Sequence, residues 1–269
     1  MCYRPRYFKS KDATFPCGIC PKCKARHVSA WSFRLLQELR VCSSAHFITL
    51  TYDQSNVPTD FFGNLNLSKR DLQLFFKRLR KAQKSALSVK YFAVGEYGGN
   101  TRRPHYHIIL FNAKLELVER CWENGEIHNG KDGVTGASIG YCLKYILKHK
   151  HKRCPFGDSS MQPEFALMSK GLGASYLTES MANWHVADLV NRMYCNLTDG
   201  KKISMPRYYK DRLYYENERS AIREAFEISI DKEINEKLSK QTLREFRAEQ
   251  AAIDNAFDRM YMSAQKTKL

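Results

Sequence analysis

The strongest constraint on the fold is a pair of segments, residues 89–96 and 105–111, that flank a turn containing Gly98-Gly99-Asn100. Both segments are rich in β-branched and aromatic residues, and two such segments joined by a glycine-containing loop are typical of a β-hairpin. Residues 45–52 have a similar composition and predict a further strand, which we expect to be buried on both faces. Since helical patterns separate these strands along the chain, we expect an α+β fold with an antiparallel sheet.

The predicted hairpin gathers three side chains that could bind a metal ion. Side chains alternate across a strand, so His105 and His107 point to the same side. If the turn is roughly symmetric, Glu96 pairs near His105 and shares that face. Two imidazoles and one carboxylate suit Mn²⁺, Zn²⁺ or Mg²⁺ and leave coordination positions open for water or phosphate oxygens. The ordinary alternative is one core histidine, one polar histidine and a carboxylate at the end of a turn.

A predicted helix at residues 138–152 carries two tyrosines one turn apart. At about 100° per residue, Tyr141 and Tyr145 share a stripe with three lysines, and the apolar side chains occupy the opposite face. The lysines are Lys144, Lys148 and Lys152, and the apolar residues are Ile139, Leu143, Ile146 and Leu147. We therefore expect both tyrosines to lie away from the core. Tyrosines at a core edge would give a similar pattern, but the repeated Tyr-x-x-Lys unit favours a functional role.

Other helical patterns complete the prediction. Residues 24–41 carry apolar side chains at spacings of three and four. Residues 68–84 begin with Ser68 and Asp71, a pair that satisfies free amides in the first turn of a helix. From residue 211 onward, apolar residues recur about every fourth position among balanced charges, which predicts a helical C-terminal extension.

The charge of the chain is unevenly distributed. Overall, 44 Lys and Arg residues exceed 28 Asp and Glu residues, for a net charge of +16. Residues 211–269 hold 11 basic and 12 acidic residues, so the whole excess lies in residues 1–210. Such an excess indicates a polyanionic partner, and we favour nucleic acid over a lipid surface. The candidate DNA contacts are Lys77, Arg78, Lys81, Arg102, Arg103 and Lys152. For the basic helix, a merely solvated face is the alternative.

Several classes of protein are excluded as expectations from the sequence. No stretch approaches the roughly 18 consecutive apolar residues of a membrane span. The first residues lack the apolar run of a signal peptide. Nine cysteines are an odd number, which suits free thiols or metal ligands in a reducing compartment better than a set of disulfides. We therefore expect a cytosolic protein.

A cysteine cluster precedes the first predicted helix. Cys17, Cys20 and Cys23 are followed by His27, and these residues are a candidate structural zinc site. The fourth ligand of a tetrahedral ion could be His27, Cys2 or Cys42. Absence of metal and an iron–sulfur centre are the alternatives.

Three motifs occur in an order that matches a known family. They are Phe47-Ile-Thr-Leu-Thr51, Arg103-Pro-His105-Tyr-His107 and the paired Tyr-x-x-Lys units. The chain thereby resembles the HUH endonucleases, in which U is a bulky hydrophobic residue. More narrowly, it resembles the replication initiators of microviruses, which are small circular single-stranded DNA phages. The narrower resemblance rests on Pro16-Cys-Gly-x-Cys-x-x-Cys23, Gly95-Glu-Tyr-Gly98, Tyr141-Cys-Leu-Lys-Tyr145, Met168-Ser-Lys-Gly-Leu-Gly173 and Met205-Pro-Arg-Tyr-Tyr209.

This resemblance implies a fold, an activity and a set of site residues. The fold would be HUH/RRM-like, with H-U-H on a central strand and helices packed on one face of the sheet. The residues that the resemblance assigns are the metal ligands Glu96, His105 and His107, the nucleophiles Tyr141 and Tyr145, and the phosphate contacts Lys144 and Lys148. The activity would be rolling-circle initiation, with nicking of single-stranded DNA through a 5′-phosphotyrosine, a free 3′-hydroxyl primer and later rejoining.

The resemblance also implies cofactors and partners. These are Mg²⁺ or Mn²⁺, the single-stranded phage origin, and a host polymerase and helicase in the host bacterial cytoplasm. The expected organisation is a Cys-rich segment with the first helix at 1–44, a catalytic core at 45–210 and the extension at 211–269. A non-enzymatic, zinc-containing DNA-binding module and an HUH transposase or plasmid initiator are the alternative functions.

Overall fold

The structure is a computed structural model that describes Cys2 and residues 5–84, 86–130, 133–148, 161–197 and 199–266. Its elements in chain order are β1 (Arg6–Phe8), β2 (Ala13–Phe15), α1 (Pro21–Leu39), β3 (Ala45–Thr51), α2 (Lys69–Ala82), β4 (Lys90–Tyr97), β5 (Pro104–Phe111), α3 (Leu115–Cys121), β6 (Ile127–Asn129), α4 (Gly136–Lys148), β7 (Phe165–Met168), α5 (Glu179–Val186), β8 (Tyr194–Asn196), β9 (Lys202–Ser204), α6 (Arg207–Leu213), α7 (Glu216–Lys240) and α8 (Leu243–Lys266). Two short 3₁₀ turns occur at Lys9–Lys11 and Ala174–Tyr176.

The chain forms two compact units. One comprises residues 28–178, and the other comprises residues 1–27 together with 179–269. The division expected from the sequence, with a catalytic core at 45–210, concerns activity and stays a prediction.

The unit of residues 28–178 is built on a five-stranded antiparallel sheet of order β6-β3-β5-β4-β7. The expected α+β class is therefore confirmed, and β5, which carries both histidines, lies at the centre of the sheet. In the hairpin of β4 and β5, Glu96 pairs directly with His105. The turn is closed by a hydrogen bond of 3.0 Å from the amide of Gly98 to the carbonyl of Arg103, which sets this register.

Helices cover both faces of the sheet. On one face, α2 and α3 pack in a cluster with alternate strand residues such as Ile48 and Ile108. On the other face, α1 and α4 pack against residues such as Phe92 and Ile109. The expectation of helices on one face is wrong, because the alternating side chains of the central strands are apolar on both sides and each side has to be covered.

The face that carries α1 is held by buried polar contacts. The Arg34 guanidinium donates to the carbonyl of Leu172 at 3.0 Å, and the amide of Gly173 donates to the Glu38 carboxylate at 2.9 Å. Glu38 also pairs with Lys90 of β4 at 2.6 Å. Gly173 has φ of 71°, and a Cβ there would lie 2.5 Å from the carbonyl oxygen of Arg34. Only glycine fits this approach, so the 168–173 motif has a structural role in seating α1.

Three elements of this unit were not predicted. The segment 115–121 is a short helix, and two short strands, β6 and β7, complete the edges of the sheet. β6 lies in the glycine-rich stretch and β7 in the stretch expected to be irregular. Strands of three and four residues carry too few alternating positions for a periodicity to be visible.

The other unit holds two small hairpins, β1 with β2 and β8 with β9, and helices α5 to α8. The expected helical extension is confirmed by α7 and α8, which contact each other through an ion pair of 3.5 Å between Lys237 and Glu249. Among the helices in the described part of the chain, none combines the length and apolar character needed to cross a membrane.

Candidate metal centre and tyrosine site

The side chains of Glu96, His105 and His107 meet on one face of the hairpin, as predicted from the alternation of strand residues. The Oε1 atom of Glu96 lies 2.8 Å from Nε2 of His105 and 3.3 Å from Nε2 of His107. Each residue offers a ligand atom within 4.8 Å of the other two. Because Glu96 and His107 are buried and His105 is half-buried, the group is shielded by protein and still reachable from one side.

The far nitrogen of each imidazole is held by a second residue. Nδ1 of His105 lies 3.2 Å from the carbonyl oxygen of Arg103, and Nδ1 of His107 lies 2.9 Å from the Thr49 hydroxyl. A carbonyl only accepts, so Nδ1 of His105 carries a proton and Nε2 is the nitrogen available to an ion. Metal-binding histidines commonly have such partners, which fix the tautomer and the ring orientation. The donor set therefore fits a divalent cation.

Burial and hydrogen bonding oppose each other at this group. Burial disfavours the charged carboxylate of Glu96, but hydrogen bonds from His105 and His107 outweigh it and lower its pKa to about 2. Burial likewise disfavours protonated His105, yet its hydrogen bond to Glu96 raises the pKa of His105. The carboxylate is thus held ionised, which is the form that binds a metal.

Aromatic side chains surround His107. The rings of Phe47 and Tyr145 lie nearly parallel to its imidazole, with centroids at 6.0 and 5.7 Å. The ring of Tyr141 approaches edge-on at 5.0 Å, and its hydroxyl is 3.4 Å from Nε2 of His107. The packing of α4 on the sheet therefore places a phenol directly beside the ligand group.

The two tyrosines differ in exposure. Tyr141 is 41% exposed, whereas Tyr145 is 3% exposed and belongs to the apolar cluster beneath α4. The expectation that both lie away from the core is wrong for Tyr145, because the buried face of α4 extends from Leu143 across Cys142 to Tyr145. Burial, then the hydrogen bond with Tyr141, raises the pKa of Tyr145 above its ordinary value.

The lysines predicted beside the tyrosines are only partly described. Lys144 is exposed on α4. Lys148 is the last residue of α4, and its side chain lies outside the described residues. Lys152 also lies outside them.

The candidate DNA contacts are not brought together. Lys77, Arg78 and Lys81 belong to α2, which packs on the sheet face opposite to the histidines. Arg78 donates to the carbonyl of Cys121 at 2.9 Å and lies 3.5 Å from Glu123, so it links α2 to the end of α3.

The arginines of the β4–β5 turn lie beside the histidines in the chain. Arg102 is exposed and has φ of 55°. Arg103 donates to Gln54 at 2.8 Å and to the carbonyl of Tyr52, so its guanidinium is anchored at the start of the loop after β3.

The cysteine cluster differs from the predicted set in one ligand. Cys17, Cys20 and Cys23 come together with Cys2, and their sulfur atoms all lie within 4.8 Å of one another. His27 is not part of this group. It lies four residues beyond Cys23 on α1, about 6 Å further along the helix axis, so it is carried past the start of the helix where the thiols meet.

Sequence reasoning missed Thr49 and Phe47 as parts of the site, although both lie in the motif Phe47-Ile-Thr-Leu-Thr51. A signal was present, because odd-numbered residues of β3 share a face and Thr49 pairs with His107 across the sheet. Cys2 had no such signal, since fifteen residues separate it from Cys17.

The fold and the site together define an α+β protein with a candidate metal centre on the central strands of an antiparallel sheet. Two phenols on a neighbouring helix lie next to this centre. This arrangement can present an ion and an oxygen nucleophile to the same substrate group.

Comparisons with known proteins agree with the resemblance seen in the motifs. A family model for the replication-associated protein ORF2 matches residues 45–150. The chain is 27% identical over 249 residues to the replication-associated protein ORF2 of Spiroplasma virus 4, covering 85% of this chain and 75% of that protein. It is 25% identical over 221 residues to the replication-associated protein VP4 of Bdellovibrio phage phiMH2K, covering 73% and 66%.

A third relative is the replication-associated protein ORF4 of Chlamydia phage 1, which is 24% identical over 235 residues, covering 77% of this chain and 56% of that protein. No solved structure matches the chain. The predicted resemblance is confirmed: the chain is a relative of the replication-associated proteins of small single-stranded DNA phages.

Proposed function

We propose that this protein initiates rolling-circle replication of a small phage genome by nicking single-stranded DNA at the origin. The observation that carries the proposal is the Tyr141 hydroxyl, 3.4 Å from Nε2 of His107 in a group of two imidazoles and a carboxylate. The names of the relatives, which are replication-associated proteins of phages, support the same role. The excess of basic residues in residues 1–210 suits a nucleic acid substrate.

Glu96, His105 and His107 would hold one divalent cation, Mg²⁺ or Mn²⁺. When bound there, the ion would supply Lewis acidity to a non-bridging phosphate oxygen and help to align the phosphodiester. Thr49 and the carbonyl of Arg103 orient the two imidazoles. Phe47 and Tyr145 restrict the ring of His107 and exclude water from its faces.

Tyr141 would be the first nucleophile, since its ring is the exposed one of the pair. Its oxygen attacks phosphorus, the new Tyr–O–P bond forms and the P–O3′ bond breaks. The phenol loses one proton and the departing 3′-oxygen gains one, so the charges balance. Lys144, exposed in the same helix turn as Tyr141, would offset the charge of the phosphate, and Lys148 is proposed for the same role.

The products fit a replication initiator. The 5′-phosphotyrosine keeps a phosphodiester-like bond, so a 3′-hydroxyl can later attack it and close a circle. The released 3′-hydroxyl would prime a host polymerase, with a host helicase opening the duplex in the bacterial cytoplasm. Tyr145 would attack in a second cut, after its ring leaves the buried position beside His107.

The site supports a division of work among DNA contacts. Arg102 and Arg103 belong to the turn that precedes His105, so we propose that they contact the strand near the cut. Lys77, Arg78, Lys81 and Lys152 remain proposed contacts for the flanking DNA. Residues 45–210 are the proposed catalytic core, and residues 211–269 an extension with a separate role.

The test is formation of a covalent protein–DNA adduct. Wild-type protein, Mn²⁺ or Mg²⁺ and single-stranded phage DNA should give an adduct that chelator abolishes. Tyr141→Phe should lose the first adduct, whereas Tyr145→Phe should keep it. Tyr7→Phe, an exposed tyrosine in the other unit, is the matched control and should behave as wild type.

Two outcomes would contradict the proposal. An adduct that persists in Tyr141→Phe/Tyr145→Phe would remove the nucleophiles. Salt-sensitive DNA binding with no adduct in any metal would instead favour a non-enzymatic DNA-binding module.

A further inference from the structure

Four thiols from two separate stretches of the chain meet at the start of α1. Sγ of Cys2 lies 3.4 Å from Sγ of Cys17 and 3.8 Å from Sγ of Cys20, and Cys23 completes the group. Two backbone amides donate to these sulfurs: Cys17 to Cys2 at 3.2 Å and Cys20 to Cys17 at 3.3 Å. The proposed nicking reaction uses none of these residues.

The spacing of the sulfurs fits a single tetrahedral ion. With Zn–S bonds of about 2.3 Å, the corners of a regular tetrahedron lie about 3.8 Å apart. The observed separations of 3.4 and 3.8 Å, and an upper limit of 4.8 Å for every pair, match that edge. An iron–sulfur cluster binds its thiolates to different iron atoms and so needs them further apart. A disulfide would need only two of the four sulfurs, at about 2.05 Å.

The surroundings offset the charge that such an ion would leave. Four thiolates and one Zn²⁺ carry a net charge of −2. Cys20 directly precedes α1 and Cys23 lies in its first turn, where the helix dipole favours negative charge. That turn contains no acidic residue, and Lys22, Lys24 and Arg26 follow in the sequence.

The N-terminal stretch has little apolar burial to hold it. The strands β1 and β2 are three residues each, and Tyr7, Phe8 and Phe15 are exposed. A stretch of this kind is typically ordered by a metal or a covalent link rather than by a core. We propose that Cys2, Cys17, Cys20 and Cys23 bind one structural Zn²⁺, which ties the first residues of the chain to the start of α1.

The test measures metal in the full chain, purified under reducing conditions without chelator. Wild-type protein should contain zinc, and replacing it with Co²⁺ should give the intense sulfur-to-cobalt absorption that only thiolate ligands produce. That absorption separates this site from Glu96, His105 and His107, which offer no sulfur.

Three variants distinguish the proposed ligands from their neighbours. Cys2→Ser should weaken the sulfur-to-cobalt absorption and the retention of zinc against a competing chelator. His27→Asn and Cys42→Ser should match wild type. Circular dichroism of Cys2→Ser checks that α1 and the sheet remain folded, so that lost metal is not lost fold.

The proposal is overturned if wild-type protein shows no sulfur-to-cobalt absorption, or if it carries iron and sulfide instead. It is equally overturned if His27→Asn, and not Cys2→Ser, loses the metal. Loss of nicking without loss of this absorption would count against the proposed function alone.

Discussion

The two faces of the central strand β5 carry buried polar groups of opposite character. Tyr106 lies between the two histidines in the sequence and points to the α2 face, where its hydroxyl bonds to Tyr52, to the amide of Ser68 and to the Ser68 carbonyl. On the α4 face, His105 and His107 converge on one carboxylate. Neutral groups thus meet neutral partners on one side, and ionisable ligands meet each other on the other.

The difference teaches which polar cluster is structural. Burial, which outweighs the hydrogen bonds it receives, raises the pKa of Tyr106 to about 12, so its hydroxyl stays neutral. Tyr52 extends the network to the Asp71 carboxylate at 2.8 Å, which fastens α2 to the sheet. Glu96, by contrast, is held ionised beside two imidazoles, an arrangement that gains from a bound cation.

The largest expected effect is on the α4 face. Glu96→Ala should lower metal-dependent adduct formation by more than ~100-fold, since changes to outer partners of a ligand alone cost about 10–100-fold. Adduct yield against time at saturating Mn²⁺ measures this, with thermal unfolding as the check on fold. Activity near the wild-type level would show that the carboxylate is not a ligand.

A smaller effect is expected from the residue behind His107. Thr49→Val keeps the shape of the side chain but removes the hydroxyl that contacts Nδ1 of His107. We expect metal affinity to fall by roughly 10–100-fold, with activity recovering at high Mn²⁺ concentration. A titration of adduct yield with Mn²⁺ gives the answer, and an unchanged midpoint would make Thr49 merely structural. Thr51→Val is the matched control, because Thr51 bonds to the carbonyl of Glu126.

On the opposite face, stability rather than activity should change. Tyr106→Phe leaves several buried partners without its hydroxyl, which should cost about 1–3 kcal/mol in the free energy of unfolding. Denaturant unfolding measures that cost, and adduct formation per folded molecule should stay at the wild-type value. If nicking fell as far as in Glu96→Ala at full stability, the two faces would not be separate.

The smallest effect is expected from the exposed surface of α2. Neutralising Lys77 and Lys81 together should reduce the slope of log binding constant against log salt by about 2 at most. The rate of cutting by bound protein should stay unchanged, because α2 packs on the face opposite to the histidines. Lys144→Gln is the comparison, and it should lower the cutting rate instead.

The sequence predicted the site better than it predicted its support. Strand alternation and one turn were enough to bring Glu96 to His105, because a hairpin is local in the sequence. The helical wheel of α4 could not show that the sheet lies close enough to bury Tyr145. The same limit applies to Cys2 and to the second layer of helices, since both depend on contacts between residues far apart in the chain.

The parts of the candidate catalytic site also differ in how far apart they lie along the chain. Glu96 and His105 are nine residues apart, so gathering the ligands costs no more than closing one short loop. Tyr141 follows His107 by 34 residues and reaches it only when α4 packs on the sheet. A chain emerging from the ribosome can therefore assemble the ligand group first and acquire its nucleophile late. Cutting is withheld until the tertiary structure around α4 has formed.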